Sequence, residues 1–121
     1  MKSWTVDPKK FSAETKKDFS DLLSAAALTV YSDLVNTTPV DTGRAKSNWI
    51  PSIGSPVYTT RPATDSLSVI LQAQAVFEPD GLPEFPVLYI ANSLDYIASL
   101  NMGSSQQAPA GFVEMAVNRV F

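Results

Sequence analysis

The residues best placed to do chemistry are Asp41 and Arg44, three apart in a stretch rich in turn formers. At that spacing a carboxylate and a guanidinium reach each other. The simpler reading is a salt bridge that fixes a turn, rather than catalysis. Asp95 beside Tyr96, the pair Ser104-Ser105, and the acids Glu78, Asp80 and Glu84 complete the inventory. The 121 residues include no cysteine and no histidine. That removes disulfides, thiolate nucleophiles, the usual zinc ligands and the commonest general base. A serine hydroxyl without a base is inert. Gly103 to Gly111 lacks the lysine of a phosphate loop, and the three acids are not at EF-hand spacing. No catalytic, cofactor-binding or metal-binding residue is therefore assigned, and the chain is read as a non-enzyme. A hydrolase built on two convergent carboxylates stands as an alternative, beside a small host-directed binding module.

The elements that would hold these residues follow from periodicity. Residues 1–10 read as an arm carrying Trp4, which would dock on a neighbouring subunit, pack on its own domain or stay disordered; Pro8 suits a first helical position. Residues 12–37 read as a long amphipathic helix capped by Ser12, with Phe19, Leu22, Leu23, Ala26, Val30 and Leu34 on one stripe. Ala25-Ala26-Ala27 thins its middle, where a sheet or another helix can approach closely. Pro39 ends the helix near Thr37 or Thr38, and Asp41-Thr42-Gly43 turns the chain. Residues 50–64, with three prolines and Gly54, read as a long loop or an irregular hairpin around Val57-Tyr58-Thr59.

Residues 65–78 fit a strand by alternation and a helix by Leu, Gln and Ala content, with Asp65 or Ser66 as a cap. Phe85–Asn92 is the clearest strand. Residues 94–101 make a short helical turn with Leu94, Ile97 and Leu100 inward. A last helix near Pro109 turns Phe112, Met115, Ala116 and Val120 toward the core. The expectation is one α+β domain: a long N-terminal helix and a C-terminal helix packed on a small antiparallel sheet.

The net charge of −3 gives no basic footprint for nucleic acid. Residues 1–46 hold seven Lys/Arg against six Asp/Glu, and residues 47–121 hold two against six. Such a mildly acidic surface lets a duplex slide past; ordinary solubility charge is the other reading. No apolar run has membrane length, and Met1-Lys2-Ser3-Trp4 lacks an export signal, so synthesis in the cytoplasm is expected.

Thr38-Pro39-Val40-Asp41-Thr42-Gly43-Arg44, followed by Asn48-Trp49, resembles a signature of the small neck and tail-completion proteins of long-tailed bacteriophages, the minor-tail-protein-Z-like group. Asn92 with Tyr96, then Gly103-Ser104-Ser105-Gln106-Gln107-Ala108-Pro109-Ala110-Gly111-Phe112-Val113, is similar to that family's ending. The likeness covers roughly residues 11–121. It implies a helix over 65–78. It also implies a structural virion protein, made in the host cytoplasm, whose copies form a ring, expected to be a hexamer. That ring would complete the tail and meet tail-tube and head-connector proteins while DNA passes without specific binding. Asp41, Arg44, Trp49, Tyr96, Gln107, Pro109 and Phe112 are the interface candidates; for the three aromatics the competing reading is plain core. The family's glutamate before the last motif is absent, since Asn101-Met102-Gly103 stands there.

Overall fold

In a computed structural model the described residues are 8–39, 43–103 and 111–120. The elements are α1 (Pro8–Thr37), α2 (Arg44–Ser47), β1 (Ile50–Ile53), α3 (Ser66–Val76), a 3-10 turn (Pro79–Gly81), β2 (Leu88–Ala91), α4 (Ile97–Asn101) and α5 (Phe112–Asn118). The α+β class follows, with a long N-terminal helix and a two-stranded antiparallel sheet.

Helix α1 begins at Pro8, so Ser12 is an interior position and not the cap, and the lead-in is shorter than ten residues. Proline's fixed φ suits a first turn whose N–H groups lack partners anyway. Trp4 lies outside the described residues. The helix stops at Thr37, two residues before Pro39. Its inward side is not the single stripe expected. Val30 and Leu34 are buried, but so are Ser24, Tyr31 and Val35, on a second face turned toward α3. Phe19 and Leu22 are instead 54% and 71% exposed. The reason is coverage: the body packs over the later turns of α1, while among the described residues the earlier turns meet the thin segment 79–84.

The stretch 50–64 is not all loop, since it opens with β1. That strand pairs antiparallel with β2 in the register Ile50↔Ala91, Pro51↔Ile90, Ser52↔Tyr89, Ile53↔Leu88. Gly54 N–H donates to Val87 O at 2.8 Å. By alternation along the ladder Pro51 then falls at a non-hydrogen-bonded pair. Its missing N–H costs the sheet nothing there, so proline does not stop the strand. Of the two readings for Val57–Thr59, the loop holds and no hairpin forms there. β2 is also shorter than the predicted Phe85–Asn92, and Phe85 is 87% exposed.

Helix α3 is a helix as expected, capped by Asp65, whose carboxylate accepts from Ser68 N at 3.0 Å and Ser68 Oγ at 2.7 Å. Val69, Ala73 and Phe77 recur every fourth residue and are fully buried. Ser24 Oγ donates to Phe77 O and ties the end of α3 to α1. Leu94 is buried, and Ile97 and Leu100 of α4 pack on the core. In α5, Phe112 and Ala116 are buried and Val120 packs nearby, whereas Met115 is 36% exposed and not part of the core. Among the described residues no helix is long and apolar enough to cross a membrane.

Candidate functional site

The turn between α1 and β1 is a closed polar lattice around Trp49. Gly43, at φ 69°, stands in the left-handed region that glycine enters without steric cost. Chain reversal there lets Ser47, Asn48 and Trp49 all point inward, and all three are buried. Trp49 Nε1 donates to Thr38 Oγ1 at 2.8 Å, and Tyr31 Oη donates to Trp49 O at 2.6 Å. Asn48 Nδ2 donates to Arg44 O at 2.7 Å and Arg61 O at 2.9 Å, while its Oδ1 accepts from Arg61 N at 2.8 Å. Ser47 Oγ lies 2.7 Å from Gly43 O and accepts from Thr64 N at 2.8 Å.

Arg61 closes this lattice, and sequence reasoning missed it. Its Nε donates to Ser47 O and Nη1 to Gln72 Oε1; Nη2 reaches Tyr31 Oη and Trp49 O, each at 3.2 Å. One half-buried guanidinium therefore joins α1, α2, the 54–65 loop and α3 through neutral oxygens. The planar fork of arginine makes this possible, because its five N–H groups leave in fixed directions. The available signal was slight: Arg61 is one of two cations after Lys46, set alone in a loop rich in Pro, Ser and Thr. Burial raises the Tyr31 pKa, and the Arg61 charge and its hydrogen bond oppose that shift.

The second motif meets the first. Asn92 Nδ2 donates to Ala45 O at 2.9 Å, and its Oδ1 accepts from Leu94 N at 3.2 Å. Asn101 links the second half of the chain. Its Nδ2 donates to both Glu114 oxygens at 3.0 and 2.9 Å, and its Oδ1 accepts from Val113 N at 2.9 Å. Those donated bonds hold the Glu114 carboxyl below its ordinary pKa. The side chain thus bridges α4 to the first turn of α5.

Of the interface candidates, Trp49 is 5% and Phe112 2% exposed, both inside one cluster with Val30, Tyr31 and Leu34. They fall on the core side of the alternative stated above. Tyr96 is 38% exposed. Arg44 is exposed, and its carbonyl serves Asn48. Asp41, Gln107 and Pro109 lie outside the described residues, so the Asp41–Arg44 pair does too. Of the three acids, Glu84 pairs with Lys16 at 3.0 Å. Among the described residues no three His, Cys, Asp or Glu side chains gather as a metal site.

A different surface was not foreseen. A groove of about 250 Å³ runs between Leu23, Ala27 and Val30 of α1, Leu88 and Ile90 of β2, and Val117 of α5, over Trp49. All its lining residues are apolar.

Comparison with known protein families, with curated proteins and with solved structures finds no match to this chain.

Proposed function

We propose that this chain is a structural assembly protein of a phage or prophage neck, working as a ring that completes the tail and joins it to the head. The observation that carries the reading is the meeting of the two motifs. The Thr38–Trp49 turn and the Asn92 segment, over forty residues apart, are bonded directly through Asn92 and Ala45. Phe112, from the end of the second motif, packs in one cluster with Trp49. Residues that resemble one family in sequence thus build a single unit, as a shared fold requires. The chemistry of that unit agrees with a shape-bearing role. Among the described residues no buried side-chain nitrogen or oxygen lacks a hydrogen-bond partner, so the lattice spends its polar capacity on holding its own form. Recognition then falls to the outer surfaces, and a chain of net charge −3 gives passing DNA no overall basic footprint to bind.

Deletion of the gene from the producing phage tests this. Filled heads and separate tails, seen by electron microscopy and restored to joined particles by the supplied protein, are the expected outcome. Infectious tailed particles formed without the protein would overturn the reading.

A further inference from the structure

The sheet has two strands and so two outer edges, and these edges differ. In the β1–β2 register, Ile50, Ser52, Tyr89 and Ala91 turn their backbone groups toward the partner strand. Pro51 and Ile53 of β1, and Leu88 and Ile90 of β2, turn theirs outward. Along β1 that edge is blunted: Pro51 has no N–H, and α3 packs beside the strand. Along β2 nothing blunts it. Among the described residues no hydrogen bond reaches the outward N–H or C=O of Leu88 or Ile90. No Lys, Arg, Asp or Glu occurs between Glu84 and Asp95, and neither proline nor bulge interrupts β2.

The same two residues turn their side chains into the apolar groove beside α1 and α5. Two features therefore coincide. One is a row of two donors and two acceptors at strand spacing; the other is an uncharged groove alongside it. A helical partner or a lipid chain would fill the groove yet leave the edge unpaired, because neither offers donors and acceptors at that spacing. An extended backbone satisfies both.

We propose that the outer edge of β2 takes an extended, uncharged segment of another protein as an antiparallel third strand. Residues opposite Leu88 and Ile90 share their face of the sheet, so alternate side chains of the segment drop into the groove. Those side chains are apolar because every lining residue is. The same residues exchange both backbone bonds with Leu88 and Ile90, so the apolar positions carry the N–H groups that pair. The intervening residues face away from the groove. Affinity then comes from the main chain and specificity from alternate side chains. The inference stands apart from the ring reading and needs no second copy.

Short acetylated peptides that alternate threonine with valine, isoleucine or leucine, mixed with the full chain, test this. Binding with Kd below about 1 mM is expected, with exchange of the Leu88 and Ile90 amides slowed at least ~10-fold. N-methylation of the apolar residues should weaken binding at least ~10-fold, and N-methylation of the threonines should leave it within about twofold. Leu88→Lys, checked for native circular dichroism, places a charge in the groove and should abolish binding; the exchange readout on the parent protein does not depend on that variant folding. Failure of every peptide to bind below about 1 mM, or equal sensitivity to the two methylation patterns, would remove the proposal. So would Leu88 and Ile90 amides that become protected as protein concentration rises without peptide, since a second copy would then hold the edge. The gene deletion described above tests the ring reading separately, and neither result depends on the other.

Discussion

Replacing Arg61 by alanine tests the lattice around Trp49 more directly than any change in the signature itself. The guanidinium serves Ser47 O, Trp49 O, Tyr31 Oη and Gln72 Oε1. A hydrogen bond from a charged donor contributes about 1.5–3 kcal/mol net, yet the four do not add. Trp49 O keeps its bond from Tyr31, the two Nη2 contacts are long at 3.2 Å, and water replaces the contact at exposed Gln72. Ser47 O is the acceptor left without its donor. The expected loss is about 2–3 kcal/mol, one strong bond plus fractions of the others. At this chain length that lowers the thermal midpoint by about 8–12 °C. Urea melts followed by far-UV circular dichroism and tryptophan fluorescence measure it, and protease sensitivity of the 54–60 loop reports its release from α2. Arg61→Lys should recover less than half the loss, because one ammonium cannot span acceptors on three elements. A loss under about 0.5 kcal/mol for Arg61→Ala, or full recovery by lysine, would show that the fork is not what ties the loop down.

Further outcomes follow from the same geometry. Gly43→Ala places a Cβ at φ 69° and should cost about 1–2 kcal/mol in denaturant titration, from backbone strain alone, since the nearest atom, Ala63 Cβ, is at an unstrained 3.7 Å. Trp49→Phe removes the donor to Thr38 and leaves a smaller ring in the core; a loss of about 2–3 kcal/mol in calorimetry is expected. The Ser68 hydroxyl, then its N–H, hold the Asp65 pKa below the ordinary value. A carboxylate depressed in the folded state stabilises above its unfolded pKa and loses that contribution as pH falls through the folded one. Asp65→Asn should therefore be less stable than the parent at neutral pH, with the difference vanishing below the Asp range. A difference that persists in acid would refute the carboxylate's part.

Much of the architecture was legible in the chain. Pro39 stopping α1, Asp65 capping α3, the apolar and aromatic run around β2 and the inward Leu94, Ile97 and Leu100 all rest on local propensity. The misses share a cause. β1 was hidden because Pro51 reads as a breaker, and only its register against Ile90 shows that the absent N–H faces away from the ladder. Phe19 and Leu22 read as core because periodicity gives a helix an apolar side without saying how far along it the body reaches. Tyr31 was passed over for the same reason: α1 buries two faces, and one stripe was sought.

What the sequence by itself determined, then, acts within a few residues: the stop of α1 before Pro39, the Asp65 cap of α3, the turn at Gly43, and the exclusion of cysteine and histidine chemistry. The tertiary structure alone decided which side chains meet at a distance. Arg61 became the tie among α1, α2 and α3, Asn92 joined the two motifs, and Trp49 and Phe112 went to the core. Such pairings depend on how helices pack in three dimensions, and no period along the chain encodes which partner lies across the gap.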